Sequence, residues 1–566
     1  MALIQRDKEW LRDGDLGFIG LNSRDNATTL QQGYVTKSQN FRLDRGVATV
    51  RKGLQRKTSN AISGQQIYGI GVYMDTSGQE IFIIVVTDGI YTYNPNTQTF
   101  SSKFSFPLGE TITTITGCDV VVATGKAYIL RGHDKRPLVF DLTSTISVLP
   151  TSGTGAEFPN GSQILYYTNR LIVAGHSHND PTNPYSYNDS SRDTICVSNY
   201  LDFDHWDEVD VFRFNSGSND EITSVAPWTL NEFIVFMRNS IHYVNVGSGR
   251  YAVGDGLGST ASMNTLVSDI GCCAQRSVVQ ANGGIVFLSE NGVYFLKPQE
   301  VGSNESVRLL TNADPLSKDI DDVIQRINKQ YVQNAVGVYW NNRYYLAVPV
   351  NSEDGVTIAT QNNTVLIYNF ILKAWESVDT YPTGFDVFAF AVAKKDNQRR
   401  LFAFDSTDGV FLMEELNWDE YGEATGTPKL AYRGVGAVPQ YGFDLPASGV
   451  LLSSTAGTPN QIDAQLTTRR YIFETLREKR FATLESDLYN YTGSSLDTYA
   501  LATNSDTNTL IDSFISGNNN DYTRRNPIRK IGSGLQLTFK SKSNRCSIKT
   551  INVTATPLGK TNKNSK

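Results

Sequence analysis

The chain reads as all-β, with a β-propeller of about six blades at its centre. Three observations predict this. Aromatic residues and glycines are abundant, with 28 Tyr, 27 Phe and 46 Gly among 566 residues. Aromatic side chains suit pleated, half-buried surfaces, and glycines suit the tight turns between strands. Long Ala/Leu/Glu/Lys runs are absent, and one hairpin unit recurs through the middle of the chain.

That unit is an apolar strand, an Asp/Asn/Gly turn, and a strand opening on an aromatic or branched residue. It first appears in Ile81 to Val86, Asp88-Gly89 and Ile90 to Tyr93, behind a strand at Ile67 to Tyr73. It returns at Val120 to Leu130, Ile164 to Ala174, Phe233 to Val244, Ile285 to Phe295, Val336 to Val348 and Leu401 to Leu412. Units start roughly 40 to 70 residues apart, which points to propeller blades. A long β-sandwich is the rival arrangement.

The elements follow in order. Residues 1–60 predict an extended N-terminal arm. Glycines at 17, 20, 33, 46 and 53 punctuate it, and its apolar anchors are too few to form a core. Residues 61–416 are the expected propeller. Within it, His176 to Thr194 is a polar loop and Leu316 to Asn328 has helical spacing, with Leu316, Ile320, Val323, Ile324 and Ile327 on one face. Residues 417–566 predict a separate C-terminal β-domain, sandwich-like, with strands near 464–473, 482–491, 496–502, 535–540 and 547–554. Its basic tail, ending in GKTNKNSK, reads as partly disordered.

Charge is unevenly placed. The total is −6, yet residues 521–566 carry +10 and residues 1–60 carry +5, leaving −21 for residues 61–520. Such an acidic body repels a polyanion, while the basic ends suit acidic neighbours. No window holds the roughly 18 apolar residues of a membrane span. Met1 to Asp15 is too charged for a secretory signal, so the chain is expected to be made in a cytoplasm. Five scattered cysteines without CxxC spacing read as reduced core residues.

Candidate chemistry is sparse. His176, His178 and Asp180 form a metal-like string in a polar loop that reads better as solvated. Asp202, Asp204, Asp207, Glu208 and Asp210 surround Trp206 too densely, in one loop, for the two opposed carboxylates of a glycosidase. They read as an acidic face. Phosphate-loop, nucleophile-elbow and zinc-helix motifs are absent. No enzyme activity, cofactor or metal is expected.

Several stretches resemble one family. Gly20-Leu21-Asn22-Ser23-Arg24-Asp25-Asn26, Leu30-Gln31-Gln32-Gly33-Tyr34, Asn40-Phe41-Arg42 and Arg51-Lys52-Gly53-Leu54 are similar to the N-terminal signature of tail hub or nozzle proteins of short-tailed bacteriophages, the tail tubular protein B type. Asp269 to Ala274, Phe287 to Tyr294, Val338 to Tyr345, Thr468 to Tyr471 and Pro527 to Gly532 fit the same family in the same order. The resemblance implies a structural propeller that assembles as a ring, usually a hexamer, below the portal and its adaptor. The ring is the conduit that holds and ejects double-stranded DNA without binding it specifically, and tail fibres or spikes dock on it. The virion tail is the implied location. On this reading Arg42, Arg45, Arg51 and Lys52 are expected at an assembly interface, on acidic surface of the same or the next subunit. The acidic residues at 202–210 are expected to line or rim the channel. A carbohydrate-binding or depolymerising spike propeller is the alternative.

Overall fold

The computed structural model describes residues 10–56, 66–107, 109–112, 117–132, 135–149, 158–175, 192–214, 220–229, 232–246, 262–300, 307–311, 315–381, 385–405, 409–416, 462–491, 493–517, 520–543 and 545–558. Seven four-stranded antiparallel units succeed one another from Ile67 to Leu416. Their innermost strands are Ile67–Met74, Cys118–Ala123, Gln163–Tyr167, Ile222–Pro227, Val279–Ala281, Val336–Trp340 and Ala389–Lys395, which begin blades 1 to 7. Neighbouring inner strands touch around the circle, those of blades 4 and 5 through Gln280 Nε2 donating to the Pro227 carbonyl, and the inner strand of blade 7 returns to that of blade 1. The chain is therefore a seven-bladed β-propeller.

The expected count of six falls one short. All seven hairpin units stand in the sequence, but they occupy different places in their blades. In blades 2, 3 and 6 the conspicuous hairpin joins the first and second strands; in blades 1, 4, 5 and 7 it joins the second and third. The spacing between units therefore does not measure a blade.

Local chemistry explains the blade. Two-residue turns such as Thr168-Asn169, Asn341-Asn342 and Asp396-Asn397 have positive φ at both positions, which matches the twist of tight hairpins. Second strands have apolar centres because blades stack face to face and cover both sides. Phe82 to Val86 in blade 1 is fully buried. Gly69 and Gly71 admit the next blade closely: a Cβ there would lie 2.8 Å from Cys118 Sγ and 2.5 Å from Val120 Cγ1. Separate apolar clusters fill the space between most neighbouring blades.

The arm is woven through the molecule. Gly53–Arg56 pairs antiparallel with Gly409–Leu416 and supplies the fourth strand of blade 7. Gly20–Leu21 and Tyr34–Gln39 extend the sheet of blade 6 beyond its outer strand, Ala374–Thr380. Ala464–Tyr471, Leu535–Ser543, Ser495–Ala502 and Thr509–Ile515 continue that sheet to ten strands. The facing sheet runs Asn520–Gly532, Lys479–Asn490, Cys546–Pro557, Val47–Val50 and Phe41–Asp44, with Leu11–Asp15 also beside Cys546–Pro557.

The C-terminal part is thus a sandwich, but not a separate one. It shares a continuous sheet with blade 6 and takes five strands from the arm. Its core is the cluster that also fills the space between blades 5 and 6. The expected helix at 316–328 shrinks to a 3-10 turn, Lys318–Ile320, and one α-turn, Asp321–Gln325. Ile327 leaves the helix because it pairs with Val350. The apolar face is as expected, with Ile320, Val323, Ile324 and Ile327 buried in the shared core. The stretches 176–191 and 417–461 and the tail 559–566 lie outside the described residues.

Candidate functional surfaces

The arm is fastened by buried charge. Arg42 lies in the sandwich strand Phe41–Asp44, where its side chain reaches blades 6 and 7. It donates to Asp379 at 3.0 and 2.5 Å and through Nε to Glu414 Oε1 at 2.8 Å. Burial disfavours its charge, but the two carboxylates outweigh burial and hold the guanidinium well above its ordinary pKa. Arg51 is 2% exposed. It donates to Asn40 Oδ1 at 2.9 Å and to the Thr380 carbonyl at 3.2 Å, sits 3.7 Å from Asp379, and covers the Tyr381 ring at 4.5 Å.

Blade 6 adds Glu376. It accepts from the Leu43 amide at 2.5 Å and from Arg343 Nε at 2.6 Å. A second fastening lies at the other end of the arm. Arg469 donates to Asp15 at 3.0 Å and Asp13 at 2.6 Å, and the Tyr471 hydroxyl donates to Asp15 at 2.7 Å.

The expected interface cations therefore divide. Arg42 and Arg51 are enclosed by acids and carbonyls of their own chain, so the expectation that they serve an interface between subunits gives way to an intrachain one. Arg45 is exposed at a left-handed turn (φ 50°), and Lys52 is half-buried, its amide directed to Glu414 Oε2. The sequence alone does not distinguish these two pairs, because their partners Asp379 and Glu414 stand more than 300 residues away.

The acidic cluster is not a loop. Asp202–Arg213 is the outermost strand of blade 3. Phe203 and Trp206 turn inward, packing against Tyr128 and Phe158. Asp204 is exposed and Asp202 half-buried, while the side chains of Asp207, Glu208 and Asp210 lie outside the described residues. An outermost strand cannot line the propeller's own axis, so the channel-lining expectation fails for that axis.

The axis itself is crossed. The turn Gln275–Ser277, between blades 4 and 5, touches the inner strands of blades 4 and 6. Gln275 donates to the Ser162 carbonyl of blade 3 at 3.3 Å, and Arg276 donates to the Phe388 carbonyl of blade 7 at 3.1 Å. Tyr344 of blade 6 donates to the Ser277 carbonyl at 2.8 Å. Inner strands have one unpaired edge, and these side chains satisfy the carbonyls there. Asp119 of blade 2 accepts the Val120 and Ile164 amides, and burial pushes its carboxyl up to about 6. Burial lowers the Arg276 guanidinium, opposed by Cys118 and Asp119.

Two further groups resemble chemistry without its geometry. Asp220 accepts from Ser240 at 3.0 Å, and Ser240 meets His242 Nε2 at 2.9 Å. In a catalytic triad the carboxylate orients the histidine, not the serine. Here Thr265 holds His242 Nδ1 at 3.1 Å, and both Ser240 and His242 are buried. Cys272 and Cys273 are buried beside carbonyls; burial pushes Cys272 up to about 11 and Cys273 higher, as suits core thiols. Among the described residues no group of three His, Cys, Asp or Glu converges on a metal site. A groove of about 330 Å³ at the blade 4–5 turns is lined by Trp228, Thr229, Gln280 and Asn282, among others.

No family model matches the chain, and no curated protein matches it. Solved structures give distant likenesses. A chain of the mitotic checkpoint complex is 10% identical with a TM-score of 0.38, covering 65% of this chain and 93% of that one. BBS1N in complex with ARL6DN gives 13%, 0.32, 64% and 97%. An ancestral GH74 enzyme gives 10%, 0.37, 68% and 51%. Scores of this size carry no argument about function, and the propeller assignment rests on the seven sheets themselves.

Proposed function

We propose that the chain is a structural subunit of a short-tailed bacteriophage tail, forming a hexameric ring or nozzle below the portal adaptor through which double-stranded DNA is held and ejected. The arm carries this reading. The residues that resemble the nozzle family, from Gly20 to Leu54, are those that join propeller and sandwich: Gly20–Leu21 in the ten-stranded sheet, Arg42 and Arg51 at Asp379, and Gly53–Arg56 in blade 7. A conduit wall must resist shear, and a sheet running unbroken from blade 6 into the sandwich suits that load. Because Gln275–Ser277 crosses the propeller axis, the lumen on this reading lies between copies, along acidic surface that repels phosphate. The adaptor ring and tail fibres or spikes are the proposed partners, and the virion tail is the proposed location.

Mass measurement and negative-stain imaging of the purified chain, alone and with adaptor rings, test the reading. A six-fold ring with a central hole is expected. A monomer that forms no ring in either setting refutes it.

The carbohydrate reading draws on the Trp228 groove, where an aromatic face and the amides of Gln280 and Asn282 suit a sugar. None of its described lining residues is a carboxylate, so cleavage by an opposed pair has no support there. Binding of host polysaccharide that is lost in Trp228→Ala would favour this alternative.

A further inference from the structure

Two long strands end their sheets with opposite charge. Asp202–Arg213, 12 residues, is an open edge of blade 3 among the described residues and holds five acids against one arginine. Asn520–Gly532, 13 residues, is likewise an open edge of one sandwich sheet among the described residues and holds Arg524, Arg525, Arg529 and Lys530 against Asp521. Other outer strands of the propeller lack this character. Thr99–Ser105 has only Lys103, Val307–Thr311 only Arg308, and Ile146–Val148 and Ser262–Val267 have no charge.

The basic strand sorts its cations by alternation. Arg524 turns toward Asp512 at 2.7 Å, and Lys530 donates to Thr509 Oγ1 at 2.7 Å. Arg525 and Arg529 face outward. Among the described residues Arg525 has an exposed pairing with Glu485 at 3.3 Å, of a kind that contributes little. Arg529 sits at a left-handed position with φ 55°. On the acidic strand Asp204 is exposed beside Asp202, whose Oδ1 accepts the Asp204 amide at 3.3 Å.

Charge on an open edge prevents it from pairing with its own kind. Two edges of opposite sign, each repelling itself, still attract each other, and this selects one pairing over the two like-charged ones. We infer that the basic edge Asn520–Gly532 of one copy docks on the acidic edge Asp202–Arg213 of the next. The occupant is a second copy because both halves of the match stand on one chain. The two edges are different surfaces, so the contact is heterologous, the kind that closes into rings when the rotation permits. This rests on the ring reading and names the surfaces that build the ring.

The test uses the full chain and a charge swap. Arg525→Glu with Arg529→Glu, Asp202→Lys with Asp204→Lys, and all four together are compared with the wild type by sedimentation velocity at low and high salt. Circular dichroism and melting check the fold, because Asp202 is half-buried while Asp204, Arg525 and Arg529 are exposed. Wild type should assemble, more weakly as salt rises. Either double variant should associate at least about tenfold more weakly, since like charges are then opposed, and the fourfold variant should recover. Assembly of wild type with no effect of either double variant overturns the edge assignment and leaves the ring standing. Loss without recovery in the fourfold variant overturns the pairing of these two edges. A wild type that stays monomeric, with or without adaptor rings, overturns the ring reading itself.

Discussion

Replacing Arg42 with methionine tests whether the arm is fastened by buried charge. Methionine keeps most of the volume and removes the guanidinium. Asp379, whose side chain is fully buried, then loses two hydrogen bonds, and Glu414, 12% exposed, loses its cation. Breaking a buried pair from one side costs about 3–5 kcal/mol. Asp379 keeps the Ser377 hydroxyl at 2.6 Å and Arg51 at 3.7 Å, so the low end, about 3 kcal/mol, is expected. Urea unfolding followed by tryptophan fluorescence reads it, because buried Trp375 lies in the same strand as Asp379. The midpoint should fall by about 1 M. Adding Asp379→Asn and Glu414→Gln removes the stranded charges and should restore most of the loss. The raised guanidinium pKa sets the sign for pH: its contribution is complete below the ordinary arginine value and is lost only above it. The guanidinium therefore adds no pH dependence near neutrality. An Arg42→Met midpoint within about 0.2 M of wild type would refute the reasoning.

Asp119 loses stability in the same direction, as pH rises, but within an accessible range. Its pKa is raised to about 6 by burial, so the folded state favours the protonated form, and stability relative to Asp119→Asn should fall as pH rises from about 4 to about 6, by about 2 kcal/mol after allowing for its partial exposure. Melting curves of the two proteins across that range check it, and parallel profiles would contradict it. Gly20→Val should loosen the arm by about 1–3 kcal/mol, because a Cβ at Gly20 would lie 2.6 Å from Ala374 Cβ. The urea midpoint reads this against Gly517→Ala, where a Cβ meets nothing within 4 Å, and equal midpoints would refute it.

The blades were legible because their signal is local. Asp88-Gly89, Asn291-Gly292 and Asn341-Asn342 announce hairpins from a few residues each, and the buried second strands declare themselves by unbroken apolar runs. The sandwich strand Asn520–Gly532 was hidden because its alternation is carried by arginines, asparagine and proline, which read as a basic tail. The acidic strand was mistaken for a loop for a similar reason. Its inward residues, Phe203 and Trp206, stand three apart across an irregular register with Thr194–Asn199, so period two is broken.

The sites were less legible because they are made by contact across the chain. Nothing near Arg42 in sequence says that Asp379 and Glu414 will enclose it, and nothing near Gly53 says that it completes blade 7. Both depend on closure. Among the described residues, the stretch from Ala389 to Leu416 supplies three strands of blade 7 and leaves a fourth place open. The preceding strand Gly53–Arg56 must fill that place. The arm then has to return past blade 6, and its remaining strands are drawn into both sandwich sheets. One segment with too little core to fold alone thereby joins two, and its buried arginines neutralise acids that blades 6 and 7 could not otherwise keep inside. On this account deleting the arm opens blade 7 and unpairs the sandwich together, which makes closure of the ring of blades and completion of the sandwich a single event.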